Sequence, residues 1–122
     1  MEVLLVEDSP EVSLITVEYL TELGHQVVAV PDAELAVEQV ARKTFDAVMT
    51  DVSLPGMSGI DLAKELIKKY PKLPVVIASG YGALNLDGLS SQTQVNVLVL
   101  PKPYDMEMLE KTLKKAAAFA AS

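Results

Sequence analysis

The sequence contains no cysteine, and this absence removes several kinds of chemistry at once. Such a chain has no disulfide framework, no thiolate ligand for a metal and no thiol nucleophile. It also has no apolar run of about 18 residues, the length that crosses a bilayer. Its first residues enter an apolar pattern without a basic leader segment. We therefore expect a soluble, cytoplasmic domain without a membrane partner.

Positive charge is scarce as well. Ten Lys and Arg residues stand against 17 Asp and Glu residues, so the net charge is −7. Direct binding to nucleic acid needs a basic surface, and we do not expect it here. Half of the residues are apolar, which favours a packed globule over disorder. The length of 122 residues supports one core, and we predict a single domain over residues 1–122.

Five short apolar runs alternate with segments of helical periodicity. These runs are nearly continuous and rich in β-branched residues, as in parallel strands that are covered on both faces. They lie at about residues 3–6, 26–30, 45–51, 74–78 and 95–100. The alternation predicts a doubly wound α/β sheet with right-handed crossovers and helices on both faces.

The helical segments differ in quality. Ser9 and Asp32 are good N-caps for the first two helices. A third segment buries its apolar stripe before Pro71 ends it, and a last helix starts at about residue 104. Residues 82–94 are rich in residues of low helix propensity, so a helix there is expected to be short, irregular or mobile.

The inward faces of the first and last helices follow from spacing. For the first helix the predicted face is Val12, Ile15, Thr16, Tyr19, Leu20 and Leu23. For the last helix it is Met106, Leu109, Leu113 and Ala117.

Charged residues follow three of the apolar runs. Glu7 and Asp8 come after the first run, Asp51 closes the third, and Lys102 follows the fifth. An Asp in a turn is usually only a local cap, but four such positions in order are not explained by capping. Together they predict a phosphoryl-transfer site at the strand ends, built around a divalent cation.

Four motifs surround these residues and the end of the fourth run. They are VEDSP at 6–10, DVSLPGMSG at 51–59, ASGY at 78–81 and LPKPY at 100–104. In this order and spacing the chain resembles, over its whole length, the receiver domain of response regulators in bacterial two-component signalling, the chemotaxis regulators included. The resemblance implies the flavodoxin-like strand order 2-1-3-4-5, which periodicity alone does not supply.

The resemblance also implies a Mg²⁺ site. Asp8 and Asp51 would bind the ion directly, Glu7 would act through water, and the backbone carbonyl of Ser53 would complete the protein ligands. Without a cation such clustered carboxylates repel one another. The simpler interpretation of Glu7 and Asp8 is an acidic cluster at the start of a helix, which the helix dipole favours.

By the same resemblance Asp51 is the phosphoacceptor, and it forms an aspartyl phosphate. Lys102 would neutralise charge on the transferred group, and the hydroxyl of Ser79 would donate to a phosphoryl oxygen. The family further implies a cis bond between Lys102 and Pro103, which aims the lysine inward. Without the resemblance, the simpler interpretation of Lys102 is a solvated surface residue, and that of Ser79 is a turn cap.

One position departs from the family pattern. Three residues before the lysine the family commonly has an aromatic ring that moves when phosphate binds, and this chain has Val99. We therefore expect phosphorylation to act mainly by ordering residues 82–94 through Ser79 and Gly80, and not by an aromatic rotamer change.

The expected function is that of a phosphoacceptor. The phosphoryl group would come from a phosphohistidine on a histidine kinase or a histidine phosphotransfer protein. The domain would not be an enzyme beyond its own phosphorylation and slow self-dephosphorylation. It is compatible with a weak homodimer, and with being part of a hybrid kinase or a longer regulator.

Two alternatives stay open. One is a phosphorylation-independent interaction module on the same fold, which usually loses the acidic residues or the lysine. The other is an aspartate-nucleophile phosphatase. That enzyme needs a second acid two residues after the nucleophile, where this chain has Ser53, and a cap domain that this length does not hold.

Overall fold

The computed structural model describes residues 1–79 and 97–121. In this part of the chain strands and helices alternate. They are β1 (Glu2–Val6), α1 (Pro10–Glu22), β2 (Gln26–Val30), α2 (Ala33–Arg42), β3 (Ala47–Asp51), α3 (Gly59–Lys69), β4 (Val75–Ser79), β5 (Val97–Pro101) and α4 (Met106–Ala121). The weak helix predicted over residues 82–94, and Gly80, lie outside the described residues. No helix in residues 1–79 or 97–121 combines the length and the apolar character that a membrane crossing requires.

The five strands form one sheet in the order β2-β1-β3-β4-β5, and every neighbouring pair is parallel. This confirms the predicted doubly wound sheet and its strand order. The winding reverses between β1 and β3, and their register pairs Val6 with Thr50. Consequently the residues that follow β1 lie beside the last residue of β3, Asp51.

Two apolar cores hold the helices to the two faces of the sheet. Side chains alternate along each strand, so Leu4 and Val6 of β1 point to one face while Val3 and Leu5 point to the other. The first face packs against α2 and α3, and the second against α1 and α4. Fully burying one leucine side chain stabilises the folded state by about 1.5–3 kcal/mol. The two cores therefore hold the strands, and the residues at their carboxyl ends, in fixed positions.

The helices begin at side chains that cap free backbone amides. Ser9 Oγ accepts a hydrogen bond from the Val12 amide at 3.4 Å, and Asp32 Oδ1 accepts one from the Leu35 amide at 2.9 Å. These two bonds confirm the predicted caps. Ser58 Oγ accepts from the Asp61 amide at 3.1 Å and thereby caps α3, which follows directly after the Asp51 loop.

The face predicted for α1 is partly wrong. Thr16 and Leu20 are buried, whereas Val12 and Ile15 are 36% and 50% exposed. In the part of the chain that the structure describes, no element packs over Val12 and Ile15. A groove of about 440 Å³ remains between α1 and the segment after β5. Its lining residues are Val12, Ile15, Thr16, Tyr19, Lys102, Pro103 and Tyr104.

The inward stripe of α4 also differs by one residue. Leu109, Leu113 and Ala116 are buried, while the predicted Ala117 is exposed. A helix has 3.6 residues per turn, so its buried stripe alternates steps of four and three residues. After the step from 109 to 113, the next inward position is therefore 116.

Candidate functional site

Three carboxylates meet at the carboxyl end of the central strands. One oxygen from each of Glu7, Asp8 and Asp51 lies within 4.8 Å of the other two. Glu7 and Asp8 follow β1, Asp51 ends β3, and the parallel register of these strands brings their ends together. Glu7 is only 7% exposed, Asp51 is half-buried and Asp8 is exposed. This is the crevice where doubly wound sheets commonly bind ligands.

Lys102 reaches this cluster from β5, at the edge of the sheet. Its Nζ lies 3.1 Å from Asp51 Oδ1 and 3.8 Å from Glu7 Oε1. Its backbone amide donates a hydrogen bond to the carbonyl of Ser79 at 2.7 Å, which anchors the lysine to the end of β4. The Lys102–Pro103 bond is cis, as the resemblance implied. The structure thus brings the four predicted charged residues together.

The cluster contains three acids and one lysine, and this imbalance affects Glu7. Burial raises the pKa of the Glu7 carboxyl above its usual value, and the charge of Asp51 and a hydrogen bond with Asp8 act in the same direction. The Ser9 amide, which donates to Glu7 Oε2 at 3.1 Å, and the Lys102 ammonium oppose this increase in pKa. A divalent cation would relieve the repulsion. The donors are all oxygen atoms, which suits Mg²⁺.

The two remaining predicted site residues lie nearby on different elements. Ser79 is the buried last residue of β4, the strand between Asp51 and Lys102. Ser53 follows Asp51 by two residues in the loop before α3, and the Val52 amide holds the start of that loop to the Ala78 carbonyl at 3.2 Å. The roles of the Ser79 hydroxyl and the Ser53 carbonyl stay predictions.

Gly59 is a site-shaping residue to which the sequence analysis assigned no role. A Cβ atom at this position would overlap the carbonyl oxygen of Asp51 and would lie 2.9 Å from its carbonyl carbon. The Gly59 amide also donates to the Val52 carbonyl at 2.8 Å. Only glycine lets α3 begin this close to the end of β3. The available signal was a residue of poor helix propensity at the first position of a helix.

Tyr104 is a second residue near the site whose role was not predicted from the sequence. Its hydroxyl shares a hydrogen bond of 2.8 Å with the hydroxyl of Thr16, so it links the segment after Lys102 to α1. Burial raises the pKa of the Tyr104 phenol, which therefore stays protonated at neutral pH. The sequence signal was a threonine in the middle of an apolar helical face.

Fold and site together define a doubly wound α/β domain. Its acidic, oxygen-rich crevice lies where the winding of the sheet reverses, between β1 and β3. The family model described as the response regulator receiver domain matches residues 3–114. The chain belongs to this family, and it is a receiver domain of the kind found in two-component response regulators.

Its curated relatives are signalling proteins. The response regulator FleR of Pseudomonas aeruginosa is 36% identical over 88% of this chain, and the two-component response regulator PhoP of the same species is 36% identical over 93%. The sensor protein TorS of Escherichia coli is 34% identical over 93% of this chain. The matches span only 23%, 50% and 12% of FleR, PhoP and TorS.

Solved structures agree with the fold. The response regulator TrrA from Thermotoga maritima, in complex with Mg²⁺-BeF, superposes with a TM-score of 0.82 at 27% identity, covering 94% of this chain and 97% of TrrA. The chemotaxis response regulator CheY4 of Vibrio cholerae also has a TM-score of 0.82, at 24% identity and with coverage of 94% and 97%. The similarity to CheY4 supports the fold alone.

Proposed function

We propose that this domain accepts a phosphoryl group on Asp51, with Mg²⁺, from a phosphohistidine of a histidine kinase or histidine phosphotransfer protein. One observation carries the proposal. Asp51 lies at the carboxyl end of the central strand, and its Oδ1 is 3.1 Å from the Lys102 ammonium. Glu7 and Asp8 each hold a carboxylate oxygen within 4.8 Å of an Asp51 carboxylate oxygen. A nucleophile, a cationic partner and a set of metal ligands are therefore in one place.

The step balances as a group transfer between two side chains. An oxygen of Asp51 bonds to phosphorus while the bond from phosphorus to the histidine nitrogen breaks. The electron pair of that bond returns to the imidazole, and a proton from solvent keeps the released ring neutral. The Lys102 ammonium stabilises charge on the phosphoryl oxygens, so catalysis is mostly positioning and electrostatics.

The residues fit a bound Mg²⁺. Asp8 and Asp51 would hold it directly, Glu7 through water, and Ser53 through its backbone carbonyl. When bound, the ion supplies positive charge to the cluster and to the phosphoryl oxygens. Three acids against one lysine, and the raised pKa of Glu7, support a site that is completed by a cation. The relative TrrA, solved with Mg²⁺-BeF, agrees with this.

Phosphorylation would act on the protein itself, with slow self-dephosphorylation and a change of interaction surface. Ser79 is buried at the end of β4, so it lies at the carboxyl end of the sheet, where such a phosphoryl group would be bound. The expected ordering of residues 82–94 concerns a segment outside the described residues. The phosphatase alternative is disfavoured because Ser53 stands where that chemistry needs a second acid.

Phosphoramidate is a suitable probe, because its bond from phosphorus to nitrogen is the type that breaks in phosphohistidine. With Mg²⁺ present, intact mass should increase by one phosphoryl group in the wild type and should not change in Asp51→Asn. Asp46→Asn is the matched control. Asp46 precedes the same strand at its opposite end, where it accepts a hydrogen bond from the Glu2 amide at 2.7 Å. It should label normally.

Full labelling of Asp51→Asn would place the acceptor elsewhere and reject the assignment. A wild-type protein that is not labelled by phosphoramidate, although folded and supplied with Mg²⁺, would favour the phosphorylation-independent interaction module.

A further inference from the structure

A buried hydroxyl in α1 is satisfied from a distant part of the chain. Thr16 is 2% exposed and lies in the middle of the helix. A threonine in such a place commonly bonds to the carbonyl four residues earlier. Here its hydroxyl shares a hydrogen bond of 2.8 Å with Tyr104, 88 residues away. The bond therefore fixes the position of one segment relative to another, and it is not part of the helix itself.

The segment that it fixes carries the lysine. Tyr104 follows Lys102 by two residues and precedes Asp105, whose Oδ1 accepts a hydrogen bond from the Met108 amide at 2.9 Å at the start of α4. The Lys102 amide is bound to the Ser79 carbonyl at 2.7 Å. In the part of the chain that the structure describes, Thr16–Tyr104 is the one side-chain hydrogen bond between α1 and this segment.

The other partner belongs to the acidic side of the site. Helix α1 begins at Pro10, directly after Glu7, Asp8 and the capping Ser9. The Thr16–Tyr104 bond thus joins the helix that follows the acid pair to the segment that carries the lysine. The lysine of this segment itself contacts two acids of the site, because Lys102 Nζ lies 3.1 Å from Asp51 Oδ1 and 3.8 Å from Glu7 Oε1.

We propose that Tyr104 and Thr16 are positioning residues that hold the Lys102 ammonium at Asp51 by fixing the lysine's segment against α1. This inference rests on the proposed phosphorylation of Asp51. A lysine side chain is long and flexible, and its ammonium is strongly hydrated, so a free backbone would let it turn toward water. Water is close, because the groove of about 440 Å³ is lined by Thr16, Lys102 and Tyr104.

Single hydroxyl deletions separate the hydrogen bond from packing. Tyr104→Phe keeps the ring and Thr16→Val keeps the shape of the side chain, but each removes the bond. Each should slow phosphorylation by phosphoramidate with Mg²⁺ by about threefold to tenfold, because a displaced catalytic group loses much of its effect. The double variant should be no slower than either single variant, since all three lose the same bond.

Two further variants complete the set. Thr16→Ser keeps a hydroxyl at the same place and should therefore keep most of the wild-type rate. Tyr19→Phe removes a hydroxyl from the same groove that forms no hydrogen bond among the described residues, and it should leave the rate unchanged.

A direct readout of the lysine distinguishes positioning from general destabilisation. The ¹⁵N resonance of Lys102 Nζ, assigned by its loss in Lys102→Arg, should report a paired ammonium in the wild type and in Thr16→Ser. In Tyr104→Phe and Thr16→Val it should shift toward the resonance of a solvated lysine while the backbone amide spectrum remains that of the folded domain.

The proposal is overturned if Tyr104→Phe is phosphorylated at the wild-type rate with an unchanged Lys102 resonance. Failure of the proposed function gives a different pattern, because the wild type would then not be labelled at all. In that case the Lys102 resonance alone decides the inference. A shift in the two hydroxyl deletions supports it, and the absence of a shift refutes it.

Discussion

The two ends of the sheet use charged residues in different ways. At the amino end, Arg42 pairs with Glu38 at 2.6 Å and Lys69 pairs with Glu65 at 3.7 Å. These side chains are 35–69% exposed, and each of the two cations has its own anion. At the carboxyl end, Lys102 is the one cation among the described residues that pairs with the cluster of three acids, through Asp51 and Glu7, and the cluster lies partly below the surface.

The difference shows that burial and charge imbalance identify the site, and that the number of charged residues does not. Exposed pairs such as Arg42–Glu38 are screened by water and salt and contribute about 0.2–1 kcal/mol each at most. An unbalanced cluster that is half removed from water lowers the stability of the metal-free fold. A protein retains such a cluster where function requires it.

The largest expected effect concerns a pair of glycines. Gly59→Ala should lower the free energy of unfolding by about 1–3 kcal/mol, because the new Cβ overlaps the Asp51 carbonyl and the loop has to move. Phosphorylation of Asp51 should fall with it. Denaturant unfolding and phosphoramidate labelling measure the two effects.

Gly24 is the matched glycine at the amino end. It has a φ of +90° and no atom within 4 Å of an added Cβ. Gly24→Ala should therefore cost stability through backbone strain alone and should leave labelling unchanged. If Gly59→Ala is labelled as fast as Gly24→Ala, the close approach of α3 does not shape the site.

Magnesium should act on one end of the sheet only. At a concentration tenfold above its dissociation constant, Mg²⁺ should stabilise the folded protein by about 1.4 kcal/mol, because it binds the folded state and not the unfolded one. Asp8→Ala should abolish most of this stabilisation and most Mg²⁺-dependent labelling. Thermal unfolding with and without Mg²⁺ measures the change.

Glu38→Ala is the control for the magnesium experiment, because it removes an acid that is paired with Arg42 at 2.6 Å at the other end. It should leave the response to Mg²⁺ intact. An equal response in Asp8→Ala and the wild type would show that the ion does not bind at the cluster.

The smallest expected effect is a pH dependence from Glu7. Its pKa is raised in the folded, metal-free protein, chiefly by burial, so the folded state holds this proton more tightly than the unfolded state. The associated stability is fully present below the usual carboxyl pKa and is lost as pH rises through the raised value. Glu7→Gln should flatten this decrease, with a change below about 1 kcal/mol.

Unfolding free energies measured across the acidic to neutral range, without metal, test the prediction. Glu65→Gln serves as the control, because Glu65 is a partly exposed partner of Lys69 outside the acidic cluster. An identical pH dependence in Glu7→Gln and the wild type would assign the decrease to other groups.

Much of the fold follows from local patterns in the sequence. Apolar runs with β-branched residues placed the strands, and Ser9 and Asp32 placed two helix starts, because these signals act within a few residues of the chain. The grouping of Glu7, Asp8, Asp51 and Lys102 was predicted from their places after strands. The strand order itself came from the resemblance to a family, since periodicity does not specify which strands are neighbours.

The errors occurred where burial depends on a neighbouring element. The apolar spacing of α1 predicted that Val12 and Ile15 face inward, but no element among residues 1–79 and 97–121 covers them, and a groove lies there instead. Periodicity identifies the apolar face of a helix, and the surrounding elements determine how much of that face is covered.

Sequence by itself determined the parallel α/β architecture, the helix caps and the residue types of the acidic crevice, because those depend on local conformation and on side-chain chemistry. Tertiary structure alone decided that α3 starts against the Asp51 carbonyl and so requires Gly59, and that Thr16 meets Tyr104 across 88 residues. Such contacts depend on how the helices are seated on the sheet. That seating results from the packing of the whole core, and no local signal in the chain specifies it.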